Sequence, residues 1–217
     1  MTRARTLCLA AASLLAMPAA AQPPAGGPTP VAATPQTAAA QVAARRAMRS
    51  FASCLLATRS AAANEILLQP YGSIAQQEVI DRRAATARDC RAAGTSLDLN
   101  APALAGALSE AGIVARFGSA DLGRVALLTA DRIALLNLEP RNGYEDLGLC
   151  VARHAPEAVR AWAVSEPGSA GEESARRNVI PQVGQCVNQG QPLRADYAGL
   201  RAVLSAALYR ALRLTRP

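Results

Sequence analysis

The sequence predicts an all-α protein: two tandem, disulfide-stapled three-helix modules, an internal duplication, forming one compact helical domain. Three observations lead there. Apolar residues recur at spacings of three and four, the period of a helix face, through most of residues 40–118 and 147–217. A set of marks, Cys54, Gly72-Ser73, Cys90 and Gly94, returns without a gap as Cys150, Gly168-Ser169, Cys186 and Gly190, at an offset of 150 − 54 = 96 positions. Hydrophobic residues make up 51% of the chain but aromatics only 3%, so the core must be Ala, Leu, Val and Ile on helices that approach closely.

Residues 1–21 read as a signal peptide, with Arg3 and Arg5, an apolar run over 7–15, and the small residues Ala19, Ala20 and Ala21 before Gln22. That run is too short to span a bilayer, and no later stretch is long and apolar enough. Cleavage near Ala21 would remove Cys8 and deliver the chain to the periplasm or the medium. Residues 22–39 hold five prolines and no charge, the composition of an extended, disordered leader.

The first module is expected over 40–118. One helix should run through Val42, Met48, Phe51, Cys54 and Leu55 to Leu67 and stop at Pro70 and Gly72. Gly accepts the left-handed turn that ends a helix, and Ser73 can cap the next one, with Gln76 at the capping-box spacing. A second helix should run from Ile74 to about Ala93, and a third, capped by Asn100, through Leu104, Leu108 and Ala111. Residues 119–146 form a bridge with no counterpart, read as one helix before Pro140, although 133–138 would also pass for a strand.

The second module, 147–217, repeats this plan. Pro156 should start a fresh helical turn and leave Cys150 on a short preceding helix; Pro181 should kink the next helix or delay it. The last helix begins at Asp196 and carries Leu200, Val203, Leu204, Ala207, Leu208 and Leu212 on one face. Arg201, Arg210 and Arg213 lie largely off that face. Tyr209 and Arg210 with Arg213 make a basic helix end, so Arg201, Tyr209, Arg210 and Arg213 are the surface-contact candidates.

The two arms of each hairpin are matched. Cys54 lies 72 − 54 = 18 residues before the turn and Cys90 lies 90 − 73 = 17 after it. At about 1.5 Å per residue both arms come to roughly 26 Å, which places the sulfurs at one level and predicts Cys54–Cys90 and Cys150–Cys186. Four cysteines allow three pairings, and the break near Pro156 keeps the crossed ones in play. Zinc normally takes ligand pairs such as C-x-x-C, and the sequence has none, so no metal or other cofactor is expected.

The formal charge of +7 falls to +5 once Arg3 and Arg5 leave, and all 23 basic residues are arginine. Pairs four apart, Glu78 with Arg82, Glu172 with Arg176 and Glu173 with Arg177, suggest solvated helical ion pairs. An exported chain without a basic, aromatic-interleaved run is a poor nucleic-acid partner. Catalytic candidates are thin: His154 is the single histidine, and Glu172-Glu173 sit in a helix's first turn, where the dipole favours carboxylates. Trp162 aligns with Ile66, a core position.

The run Pro167-Gly168-Ser169-x-x-Glu172, with Cys186, Gly190 and L-x-x-x-L-S-x-A-L-Y-R over 200–210, resembles small exported helical proteins of alphaproteobacteria that carry no assigned activity. The likeness covers the second module best; in the first, Ile113-Val114 replace Tyr209-Arg210. It implies a helical fold and export, and no reaction. The functional expectation is a non-catalytic scaffold or interaction module of the cell envelope with a protein partner. The alternative is peripheral contact with anionic lipid through the basic last helix. Oligomeric state is not encoded in any feature of the sequence.

Overall fold

The computed structural model describes residues 37–92, 96–187 and 195–216. The expected signal peptide, most of the leader, Gly94 and Gly190 lie outside the described residues. Ten α-helices and two 3₁₀ turns make up the described chain, with no strand among them.

Helix α1 (Ala38–Thr58) starts at Thr37, whose Oγ1 accepts from the Ala40 N–H, and buries Met48, Phe51, Ala52, Leu55 and Leu56. One helix to Leu67 was expected. Instead the chain breaks at Arg59 (φ −136°, ψ 50°) and α2 (Ser60–Leu68) follows. Thr58 explains the break without proline: its hydroxyl donates to the Cys54 carbonyl at 2.8 Å, a back-bond that bends helices. The same conformation recurs at Ala155 (φ −145°, ψ 57°), between α7 (Gly143–His154) and α8 (Pro156–Val164). There the ring of Pro156 drives the preceding residue out of the helical region, as expected.

The Gly-Ser turns also agree. Gly72 and Gly168 have φ of +69° and +80°, which only glycine takes without strain. Ser73 and Ser169 cap the following helices by accepting from Gln76 and Glu172 N–H. Gln76 and Glu172 return the bond to the glycine N–H one residue earlier than a standard capping box. The two helices after the turns then differ. Helix α3 (Ile74–Arg83) ends early and unwinds into a 3₁₀ turn at Arg88–Cys90, whereas α9 (Ala170–Cys186) continues past Pro181. Pro181 is exposed, so water can satisfy the carbonyl it leaves free.

Asn100 and Asp196 cap α4 (Ala101–Arg116) and α10 (Tyr197–Leu214). The bridge is two short helices, α5 (Leu122–Ala126) and α6 (Ala130–Leu135), rather than one; residues 133–138 turn at Asn137 (φ 50°) and form no strand. Both disulfides pair within a module, Cys54–Cys90 and Cys150–Cys186, with Cα separations of 5.5 and 5.8 Å. Each half has its own apolar core, and the C-terminal end of α4 (Ile113, Phe117) enters the second half's core.

Candidate functional site

The halves meet along α4 and α10, at contacts that exclude side chains. A Cβ on Gly106 would stand 2.4 Å from the Ala202 Cβ, and one on Gly112 would stand 2.3 Å from the Tyr209 ring. Gly106 and Ala202 are equivalent positions, 202 − 106 = 96, so equivalent helices cross at equivalent residues. The two flanks of that crossing are then comparable sites, and they are filled differently.

On one flank Arg201 is 3% exposed. Its Nε and Nη2 donate to Glu110 at 2.7 and 3.0 Å and its Nη1 to Glu172 at 2.6 Å. Nη2 also reaches the Ala163 and Ser165 carbonyls, at 3.0 and 2.8 Å, where α8 ends. Helix α1 closes the site: Arg49 donates to Glu110 and to the Ala163 carbonyl, and Arg45 binds Glu172 through both guanidinium nitrogens. A buried arginine–carboxylate pair offsets its desolvation only when its remaining donors are bonded, and here they are. Burial alone would raise the Glu172 carboxyl, but bonds from Arg45, the Gly168 N–H and Arg201 outweigh it and hold its pKa down to about 2.

On the other flank lies a cavity of about 300 Å³. Its polar wall is Glu145, 8% exposed, which accepts from the Tyr71 N–H at 2.9 Å, from the Arg141 backbone and guanidinium, and from Arg210 at 3.2 Å. Burial favours the neutral acid, but those donors prevail and the Glu145 pKa is lowered. Arg141 also caps the Leu68 and Gln69 carbonyls at the end of α2. Arg210 holds the Asn137 and Glu139 carbonyls; burial and the nearby Arg141 charge lower its pKa. Burial, with Tyr144 nearby, raises the Tyr71 phenol. The apolar wall includes Leu67, Leu138, Leu149 and Val203, while Leu68, Tyr144 and Leu214 ring the mouth and are exposed.

The surface-contact candidates therefore divide. Arg201 and Tyr209 are interior, not surface: α10 is covered by α4, α7 and α8, so it buries more than one face. Arg210 and Arg213 line the cavity. The expected solvated pairs also change partners, with Glu172 taken by Arg45 and Arg201, Arg176 by Glu173, and Arg82 by Glu65. Glu173 bonds Arg177 as expected. Trp162 is buried in the second core. His154 is exposed at the end of α7 beside the second disulfide, its ring within 4.8 Å of both sulfurs. Thr58 occupies the equivalent place, 3.7 Å from the Cys90 sulfur. Sulfurs bonded to each other present no thiolate, so this cluster is closed to a metal while the disulfide stands.

Arg45, Arg49, Glu110, Arg141 and Glu145 were not singled out in the sequence. One signal was present for the central pair: Glu110 is the single charge in 101–115, and Arg201 the single charge in 197–209. Two otherwise apolar helices with one opposite charge apiece invite a buried pairing. The chain matches no family model, no curated protein and no solved structure.

Proposed function

We propose that the protein is an exported, non-catalytic helical binding module of the cell envelope, and that its protein partner docks at the cavity mouth between the halves. The observation that carries this is the mouth itself: exposed Leu68 and Tyr144 from different halves, with Leu214, surround a cavity that the fold does not fill. Apolar side chains around a concave opening are what an interface hot spot requires. Export is supported by two disulfides, which persist in oxidising compartments. No helix among the described residues is long and apolar enough to cross a membrane. The repetition of turns, caps, breaks and disulfides at the 96-residue offset supports an internal duplication.

A non-catalytic role is favoured because two of the three buried carboxylates among the described residues, Glu172 and Glu145, are held ionised by arginines, the opposite of a group tuned for proton transfer near neutral pH. Lipid contact through the last helix is less favoured, since two of its four contact residues are interior.

A photo-cross-linking residue placed at Tyr144 or Leu214 in the native host tests this. Discrete adducts are expected from those positions and none from Arg88, at the far, disulfide end of the first hairpin. Adducts from Arg88 alone, or none from the mouth, would contradict the proposal.

A further inference from the structure

We propose that the cavity is a binding site for a small amphiphilic carboxylate, selected by an arginine-rich lining that holds no counterpart of the Arg201–Glu110 pair. At the 96-residue offset Arg201 corresponds to Ala105, Glu110 to Ala206 and Glu172 to Gln76. All three of these residues line the cavity. Gln76 keeps the capping duty of Glu172, accepting from the Gly72 N–H at 2.8 Å and donating to the Ile66 carbonyl at 3.1 Å, without the charge. The Arg201–Glu110 pair thus has two methyl groups in its place: Ala105 is packed with Tyr71, Ala202 and Val203, and the half-buried Ala206 borders the cavity.

The charge left around that space selects the ligand. Three arginines line it, Arg141, Arg210 and Arg213, against one carboxylate, Glu145. Glu145 is already engaged by Arg141, Arg210 and the Tyr71 N–H, so it has little capacity for a cation. Arg213 has no carboxylate within salt-bridge reach among the described residues, and its guanidinium lies 5.9 Å from the Tyr209 ring centroid. A guanidinium binds a carboxylate with two parallel bonds, and one arginine without a carboxylate suits one such head. Leu149 and Val203 offer an apolar wall for a tail. The volume is at the small end of ligand pockets and holds on the order of ten non-hydrogen atoms at about 30 Å³ each. A carboxylate with a chain of about eight carbons matches both. The site goes beyond the partner proposed above and does not need it: cross-linking reports on the mouth, ligand titration on the cavity, and either can fail alone.

Calorimetric titration of the full oxidised protein with octanoate, octan-1-ol, acetate and octyl phosphate tests the proposal. Octanoate should bind, with the three others at least tenfold weaker. Arg213→Gln should weaken octanoate at least tenfold while leaving octan-1-ol unchanged. Ala206→Glu, which places a second carboxylate against the cavity, should abolish octanoate binding. No octanoate binding at millimolar concentration, octan-1-ol or octyl phosphate binding as tightly, or full affinity in the folded Ala206→Glu variant would each overturn it. Should that variant fail to fold, the alanine methyl resonances of Ala206 and Ala207 in the unmodified protein decide: they must shift on titration, and resonances that stay still while heat is evolved would also overturn it.

Discussion

A single side chain, Glu172, holds together parts of the chain that are far apart in sequence. It caps its own helix turn through the Gly168 N–H and takes bonds from Arg45 on α1 and Arg201 on α10. Its folded pKa of about 2 lies below the ordinary 4.5, so its contribution to stability is fully present above pH 4.5 and is lost as pH falls towards 2. The urea midpoint should therefore drop between pH 5 and pH 3, and Glu172→Gln should flatten that dependence. An unchanged slope in the variant would show that other carboxylates carry it. Little of this was legible beforehand. Glu172 is followed by Arg176 four residues on, and local spacing offers that partner first; the arginines that take it come from α1 and α10, and periodicity does not report a contact across 127 residues.

At the scale of helices, short-range chemistry was the legible part. Glycine and serine at the turns and asparagine and aspartate at the caps all act within a few residues; the disulfides pair as expected although the first arms break at Arg59 and Ala155 and α3 ends at Arg83. Breaks were harder. Pro156 announces one, but the same break at Arg59 has no proline and is marked only by the Thr58 back-bond to the Cys54 carbonyl. Pro181 pointed to a kink or a delayed start, and α9 runs from Ala170 with Pro181 inside it. Because Cys150–Cys186 ties α7 to the C-terminal end of α9, that bond should matter to the second half. Its sequence separation is 36, for which restriction of the unfolded chain is worth about 4 kcal/mol. Replacing Cys150 and Cys186 by serine should lower unfolding free energy by roughly that amount in urea, and a loss below about 1 kcal/mol would mean that the helix ends are held by packing instead.

Over the whole molecule, two similar halves create one unlike interface. Alanine and glycine let α4 and α10 nearly touch, which draws α1 of the first half onto the α8–α9 turn of the second, and α7 of the second onto the α2–α3 turn of the first. Arginine and glutamate side chains complete both reciprocal contacts, yet only one flank adds the Arg201–Glu110 pair. The pattern of repeated marks made the halves legible; the difference between their flanks was not, because Ala105 and Ala206 look like any other alanines in an alanine-rich helix. Their meaning comes from what stands 96 positions away.

That difference can be measured at one pair of equivalent positions, Glu110 and Ala206, by changing each to leucine and following urea unfolding. Glu110→Leu takes from Arg201 one of its two buried carboxylates and from Arg49 its nearer one, and should cost about 3 kcal/mol. Ala206→Leu adds apolar volume to an open cavity, at up to about 0.8 kcal/mol per buried methylene, and should leave stability unchanged or raise it by up to about 2 kcal/mol. Equal losses at the two positions would contradict an interface in which Glu110 carries a buried ion pair while Ala206 only borders a cavity.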